Sequence, residues 1–66
     1  MELEFIYILI GGNEWEDIRV YLSKQDAIIA SINHPNNRVE IFSKQNRSGY
    51  EPTYNYYKNG EFIETR

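Results

Sequence analysis

Hydrophobic residues recur with two different periods along the chain, which predicts strands on both sides of one helix. The segment Leu3–Ile10 is apolar at nearly every position, so we expect a strand that is central in a sheet or covered on both faces. Residues Ile18–Leu22 alternate between apolar and polar, as a half-buried strand does. The turn residues of Gly11–Asp17 lie between the two segments, so a hairpin is predicted.

A helix is predicted directly after the second strand. Ser23 and Asp26 have the spacing of a capping box, in which each side chain accepts a hydrogen bond from the backbone N–H of the other residue. Pro35 disfavours helical backbone at the residue before it, so the helix should end near Asn33. Three isoleucines cluster on one face of this amphipathic helix, which we expect to face the core: Ile28, Ile29 and Ile32.

The second half of the chain predicts three further strands. Arg38–Lys44 and Tyr50–Lys58 have strand-type composition, and Asn59-Gly60 favours a type I′ hairpin because both positions tolerate positive φ. This turn fixes the pairing with a short last strand. The predicted pairs are Lys58 with Glu61, Tyr57 with Phe62, Tyr56 with Ile63, and Tyr54 with Thr65.

Together these elements predict a single α+β domain over residues 1–66, in the order ββαβββ. One helix packs on a mainly antiparallel sheet. The pairing around the helix stays open at this point, because a helix between two strands can also form a parallel crossover.

Size changes this picture, because 66 residues without cysteine provide few means of stabilising a fold. Such a chain buries only about 60% of the surface that it exposes when unfolded, and it has no disulfide to compensate. One helix covers one face of a sheet, whereas Leu3–Ile10 is apolar on both faces. We therefore expect a homodimer in which a second copy provides the missing cover.

No residue set in the sequence predicts catalysis, a cofactor or a metal site. His34 is the single histidine, and its position near the end of the predicted helix favours an interaction with the helix dipole over acid–base chemistry. The lack of cysteine excludes thiolate metal sites. We expect a protein that is not an enzyme and binds no cofactor or metal.

The N-terminal residues are acidic, unlike a secretory signal. The longest apolar run, Phe5–Ile10, is far shorter than the ~20 residues that span a bilayer. We therefore expect a soluble intracellular protein with no membrane partner.

Aromatic residues supply the candidate interaction surface. Trp15 is flanked by three acidic residues, and tryptophan is enriched among the residues that dominate binding energy. The other candidates are tyrosines and bases near the C-terminus: Arg47, Tyr50, Tyr54, Tyr56, Tyr57 and Lys58. Alternation places Tyr57 on the strand face opposite the other three tyrosines, so one set should lie in the core and the other outside. Core or homo-oligomer packing is favoured for these tyrosines over a surface for a different protein.

The alternative function is binding of single-stranded nucleic acid by the tyrosine-rich hairpin. Aromatic side chains interleaved with bases can stack unpaired nucleotides. The formal net charge of −3 argues against this alternative, since nucleic-acid binding usually rests on a basic surface.

Two segments of the sequence resemble small uncharacterised proteins of giant double-stranded DNA viruses, of the marseillevirus and mimivirus kind. These segments read WEDIRVYLSKQDAIIAS and SGYEPTYNYYKNGEFIE. The resemblance extends from Phe5 to Glu64, is most specific in the Tyr-Asn-Tyr-Tyr-Lys-Asn-Gly hairpin, and brings no catalytic or ligand residue. It implies a viral protein in the host cytoplasm during infection or in the virion, with a host or viral protein as partner. We thus expect a small non-catalytic interaction or structural protein.

Overall fold

The structure is a computed structural model of the chain and describes residues 3–12, 14–45 and 49–65. Five strands and one helix follow the predicted order ββαβββ, with a single 3-10 turn at Trp15–Asp17 in the first connection. The elements are β1 (Phe5–Ile10), β2 (Arg19–Tyr21), α1 (Lys24–Asn33), β3 (Arg38–Gln45), β4 (Gly49–Lys58) and β5 (Glu61–Ile63). The α+β prediction is confirmed, although β1 and β2 are shorter than the apolar pattern suggested.

The strands form one sheet in the order β2-β1-β3-β4-β5, and every neighbouring pair is antiparallel. β1 is therefore a central strand, as its apolar sequence predicted. Because β2 and β3 both run antiparallel to β1, they run in the same direction on its two sides. The helix thus makes a crossover between two strands that do not pair with each other, which is a split βαβ arrangement.

The β4–β5 hairpin has the predicted register over three pairs, from Lys58–Glu61 to Tyr56–Ile63. Asn59 and Gly60 have φ of 53° and 81°, as a type I′ turn requires. The fourth predicted pair, Tyr54 with Thr65, is wrong because β5 ends at Ile63. Thr65 instead donates a hydrogen bond from its hydroxyl to the carbonyl oxygen of Tyr54.

The helix begins and ends where the sequence predicted. The Ser23 hydroxyl accepts a hydrogen bond of 3.1 Å from the backbone N–H of Asp26, and the last helical residue is Asn33.

The buried face of α1 is not the isoleucine face. Its buried residues are Ala27, Ala30 and Ser31. The two alanines join a core that contains side chains from three strands: Tyr7, Leu9, Val39, Ile41 and Tyr57. Ile28 packs at the edge of this core, whereas Ile29 and Ile32 are 48% and 54% exposed. The prediction that all three isoleucines face the core is therefore wrong. Small side chains on the buried face let the helix backbone approach the sheet closely.

Candidate interaction surface

The register of the sheet sorts its side chains onto two faces, because paired residues project to the same side and alternate residues to opposite sides. Tyr7 and Leu9 of β1 lie on the face that α1 covers. The other face, the open face, carries no helix in the described part of the chain. One row of paired residues crosses all five strands on it: Val20, Ile8, Glu40, Tyr56 and Ile63.

A second row extends the open face along the strands. Ile6 pairs with Phe42, and Phe42 pairs with Pro52. Ile6 and Phe42 are half-buried, and Val20 at the β2 edge is 54% exposed. The central rows of the open face are thus largely apolar and only partly shielded by their own side chains, whereas Lys44, Lys58 and Glu61 project from the same face nearer its margins.

A charged pair lies in the middle of the open face. Nε of Arg38 is 2.6 Å from Oε2 of Glu40, and the Arg38 guanidinium lies over the Tyr56 ring, 5.3 Å from its centroid. Glu40 is only 8% exposed although no helix covers it, since it is paired between Ile8 and Tyr56. A shielded carboxylate needs a charged partner, and Arg38 supplies one. The pair makes the centre of the open face electrically neutral.

Strand spacing and rise per residue give the size of the open face. Five strands spaced about 4.8 Å apart, with a mean length of about six residues between three in β2 and β5 and ten in β4, define a surface of roughly 24 by 20 Å, or about 500 Å². The largest apolar patches on monomeric proteins are typically ~300–600 Å² and are often functional. The open face is therefore large enough to be a binding surface.

Three of the sequence-predicted site residues project from the open face: Tyr50, Tyr56 and Lys58. Tyr56 is half-buried within the central row. Tyr50 pairs with Lys44, whose Nζ is 5.6 Å from the centroid of the Tyr50 ring. The Tyr50 hydroxyl donates a hydrogen bond to the carbonyl oxygen of Leu3, so this side chain also holds the segment before β1.

Tyr57 lies on the helix-covered face, opposite Tyr56 as alternation predicted. It is 6% exposed, and its ring centroid is 6.2 Å from that of Tyr7 and 5.8 Å from that of Phe62. Burial, and secondarily the neighbouring Tyr7, raises the pKa of the Tyr57 hydroxyl above its ordinary value. Tyr57 is therefore a neutral core side chain at physiological pH.

Tyr54 lies in a β-bulge that the sequence did not predict. Residues Thr53–Asn55 lie opposite Ile41 alone, because the register shifts between Glu40 and Phe42. Tyr54 has φ of 69° and is 57% exposed. A bulge of this kind breaks the regular ladder and redirects the side chains within it. Tyr54 is thus the most exposed of the four tyrosines, outside the regular strand geometry.

Lys58 lies two residues after Tyr56 on the same face, and its Nζ donates a hydrogen bond of 2.8 Å to the carbonyl oxygen of Pro35. The remaining predicted residues do not join this surface. Trp15 is 78% exposed and lies in the β1–β2 connection, so β3 separates its hairpin from β4. Arg47 lies outside the described residues. The structure brings Tyr50, Tyr56 and Lys58 onto one face and leaves Trp15 elsewhere.

Sequence reasoning missed most of the central row of the open face. Alternation placed Ile8 on a second apolar side of the first strand, but it gave no reason to select Val20, Glu40 or Ile63. Their selection depends on the β1–β3 and β3–β4 registers. Those registers depend on tertiary packing and on a bulge that the sequence did not predict.

A separate, polar cavity of about 360 Å³ lies beside the first connection. Its lining includes Asp17, Arg19 and His34. The fold thus brings His34 to the same cavity as a carboxylate that is distant from it in sequence. The Arg19 guanidinium donates hydrogen bonds to the carbonyl oxygens of Glu16 and Ile18, at 2.6 and 3.1 Å. The described lining contains no serine, threonine or lysine that His34 could activate as a nucleophile. We therefore assign no reaction to this cavity.

Within residues 3–12, 14–45 and 49–65, no group of three or more metal-ligating side chains is assembled. The one helix in these ranges is too short to span a bilayer. Comparisons with protein-family models, curated proteins and solved structures found no match for this chain.

Proposed function

We propose that the protein is a small non-catalytic interaction protein that forms a homodimer through the open face. The supporting observation is the row that crosses all five strands, with apolar side chains at both ends and a neutralised charged pair in the middle. Nonpolar surface left in water provides the driving force for association.

A second copy suits this surface because the row is close to self-complementary. A two-fold axis near Glu40 sets the Val20 end of one copy against the Ile63 end of the other. Apolar side chains then meet apolar side chains along the row. Such an axis runs along β3, so each Arg38–Glu40 ion pair meets its equivalent in the other copy and each Glu40 carboxylate keeps its cation.

The size of the open face sets the expected affinity. Two faces of about 500 Å² bury roughly 1,000 Å² in total, near the lower end of specific interfaces at ~1,200 Å². We therefore expect a reversible dimer with a dissociation constant in the micromolar range.

Sedimentation velocity from low to high micromolar concentration tests the proposal, with two matched variants. Val20→Lys places a charge on the open face, and Ile29→Lys places the same charge at an exposed position on the outer side of α1. Both side chains are about half exposed, at 54% and 48%, so neither replacement should unfold the chain. We expect Val20→Lys to abolish the dimer and Ile29→Lys to leave it intact.

Two results would overturn this proposal. One is a 7.9 kDa species over the whole concentration range. The other is a dimer that Ile29→Lys disrupts and Val20→Lys does not, which would move the interface to the exposed isoleucines of the helix.

We also propose a viral setting, in which the protein acts in the infected cell or is packaged in the particle. Support comes from the resemblance of residues 15–31 and 48–64 to proteins of giant DNA viruses. Quantitative mass spectrometry of purified particles and infected cells tests it: abundance in the particle supports packaging, and absence from both samples contradicts the setting.

A further inference from the structure

A cavity of about 350 Å³ lies on the helix-covered side of the sheet, away from the open face. Lys24, which lines it, is the first residue of α1, so the cavity lies at the N-terminal end of the helix. Its volume is at the lower end of the ~300–1,000 Å³ typical of small-molecule sites. The cavity thus has room for one ring with a short substituent.

Aromatic residues make up four of the eight described residues that line this cavity. Phe5, Tyr7, Tyr57 and Phe62 all line it, together with Ile41. The rings of Tyr57 and Phe62 are arranged edge to face, with centroids 5.8 Å apart. Phe5 and Phe62 are still 41% and 53% exposed, so an apolar guest would remove further aromatic surface from water. Aromatic rings pack favourably against one another in such edge-to-face arrangements.

The polar groups at the cavity favour an anion. Lys24 carries the one charge among the described lining residues, and it forms no salt bridge within the described part of the chain. Thr53 and Asn55 also line the cavity, but the Thr53 hydroxyl already donates to the carbonyl oxygen of Ile41 at 2.8 Å. The Asn55 side-chain oxygen accepts from the backbone N–H of Thr65 at 3.3 Å.

We infer that this cavity binds a small carboxylic acid that carries one aromatic ring. The ring packs against Tyr57 and Phe62, and the carboxylate pairs with the Lys24 ammonium. A single lysine matches a monoanion, whereas phosphate groups are usually held by several cations or backbone N–H groups. The acidic residues nearest to Lys24 and Thr53 in sequence, Asp26 and Glu51, do not line the cavity.

Two probes with the same carbon skeleton distinguish the contribution of the aromatic ring to binding from that of the carboxylate charge. 3-Phenylpropionate carries the carboxylate, and 3-phenylpropan-1-ol is its neutral counterpart. Each is titrated into the ¹⁵N-labelled protein and followed by two-dimensional NMR. We expect saturable shifts at the amides of Tyr57 and Phe62 with both probes, and about threefold tighter binding of the acid, the size of effect that an exposed ion pair provides.

Two lysine variants test the role of charge. Lys24→Gln should make the acid and the alcohol bind equally, with the affinity for the alcohol unchanged. Lys44→Gln removes an equal charge from the opposite face, where Lys44 pairs with Tyr50, and should preserve the preference for the acid. Phe62→Ala removes one wall and should weaken both probes.

The outcomes that would overturn the inference are distinct from those for the dimer. They are shifts that do not saturate, shifts centred on open-face amides such as Ile8 and Tyr56, equal affinity of the unmodified protein for both probes, or a preference for the acid that survives Lys24→Gln. A monomeric protein that still binds 3-phenylpropionate would support this site and contradict only the proposed function.

Discussion

The hydroxyl of Ser31 accepts a hydrogen bond of 2.8 Å from the backbone N–H of Gly60, which lies 29 residues later in the chain. The same hydroxyl donates to the carbonyl oxygen of Ile28 at 2.7 Å. Ser31 is fully buried, so this side chain connects the last turns of α1 to the β4–β5 turn away from water. One polar group thus aligns the helix with the C-terminal hairpin.

Replacing Ser31 by alanine should therefore destabilise the fold. The partly buried Gly60 N–H would lose its partner, and since an unsatisfied buried donor costs about 1–3 kcal/mol, we expect a loss of about 1 kcal/mol. Chemical denaturation measures the change in the free energy of unfolding. Ser43→Ala is the control, because among the described residues the Ser43 hydroxyl accepts one exposed side-chain bond, of 3.3 Å from Gln45, and its effect should stay within about 0.5 kcal/mol. Equal effects of the two variants would argue against the role of Ser31.

Gly60→Ala should destabilise the protein more than Gly49→Ala. The two glycines have nearly the same φ, 81° and 80°, so the cost of a left-handed alanine, about 1–2 kcal/mol, is common to both. A Cβ at Gly60 would lie 3.0 Å from Cγ1 of Ile32, whereas none of the described atoms lies within 4 Å of one at Gly49. The difference between their unfolding free energies isolates this crowding.

A second substitution checks the cause. Ile32→Ala removes the obstructing atoms from an exposed position, so the extra cost of Gly60→Ala should shrink in the double variant. An undiminished cost would show that backbone strain alone accounts for the effect.

Arg38→Ala should destabilise the chain by leaving the shielded Glu40 carboxylate without its partner. Fully buried pairs lose about 3–5 kcal/mol in such experiments. The Arg38 side chain is 53% exposed, so water moderates the loss to about 1–2 kcal/mol. Adding Glu40→Gln to Arg38→Ala removes the unpaired charge and should recover part of the stability. If the double variant is less stable than Arg38→Ala, the shielding of Glu40 does not control this region.

Stability should fall at alkaline pH through Tyr57. Burial and Tyr7 raise the pKa of Tyr57 in the folded state, whereas an unfolded tyrosine ionises near pH ~10. The folded state therefore holds its proton more tightly, and the stability that this gives is complete below pH ~10 and lost as the pH rises through the folded pKa. The denaturation midpoint is measured below and above pH ~10. Its fall between the two conditions should be smaller for Tyr57→Phe than for the unmodified protein. Tyr54→Phe, at an exposed position, should follow the unmodified protein.

Salt should strengthen self-association modestly. Two copies that each carry a net charge of −3 repel one another, and salt screens this repulsion over a Debye length of about 10 Å at 0.1 M and 3 Å at 1 M. Sedimentation at low and high sodium chloride gives the trend. Binding to single-stranded nucleic acid would show the reverse trend and weaken with salt. A dimer that dissociates on addition of salt would indicate an interface held by ion pairs instead of apolar contact.

Features set by local chemistry could be predicted from the sequence. Ser23 caps the helix and Asn59-Gly60 closes the last hairpin, since each depends only on side chains and backbone angles within a few residues. The turn also fixes the register of the strand pairs next to it, such as Tyr57 with Phe62, so these pairs could be predicted as well.

Features set by contacts between distant segments could not be predicted. The helix buries Ala30 and exposes Ile32 because close approach to the sheet and the bond to Gly60 decide its orientation, and hydrophobicity alone favours the reverse. Tyr54 looked like a regular strand residue, but the bulge opposite Ile41 gives it a left-handed backbone. The sequence therefore indicated a tyrosine-rich hairpin as the candidate surface, whereas the structure indicates a row of residues across the whole sheet.

The position of β1 between β2 and β3 has a consequence for how the chain folds. Phe5 pairs with Ser43, so β1 can complete its pairing only after β2, α1 and most of β3 have also been made. Contacts so distant in sequence slow folding. Until β3 arrives, one apolar edge of β1 stays without hydrogen-bond partners, and such edges recruit other chains. Newly made molecules are therefore most prone to misassociate in this interval.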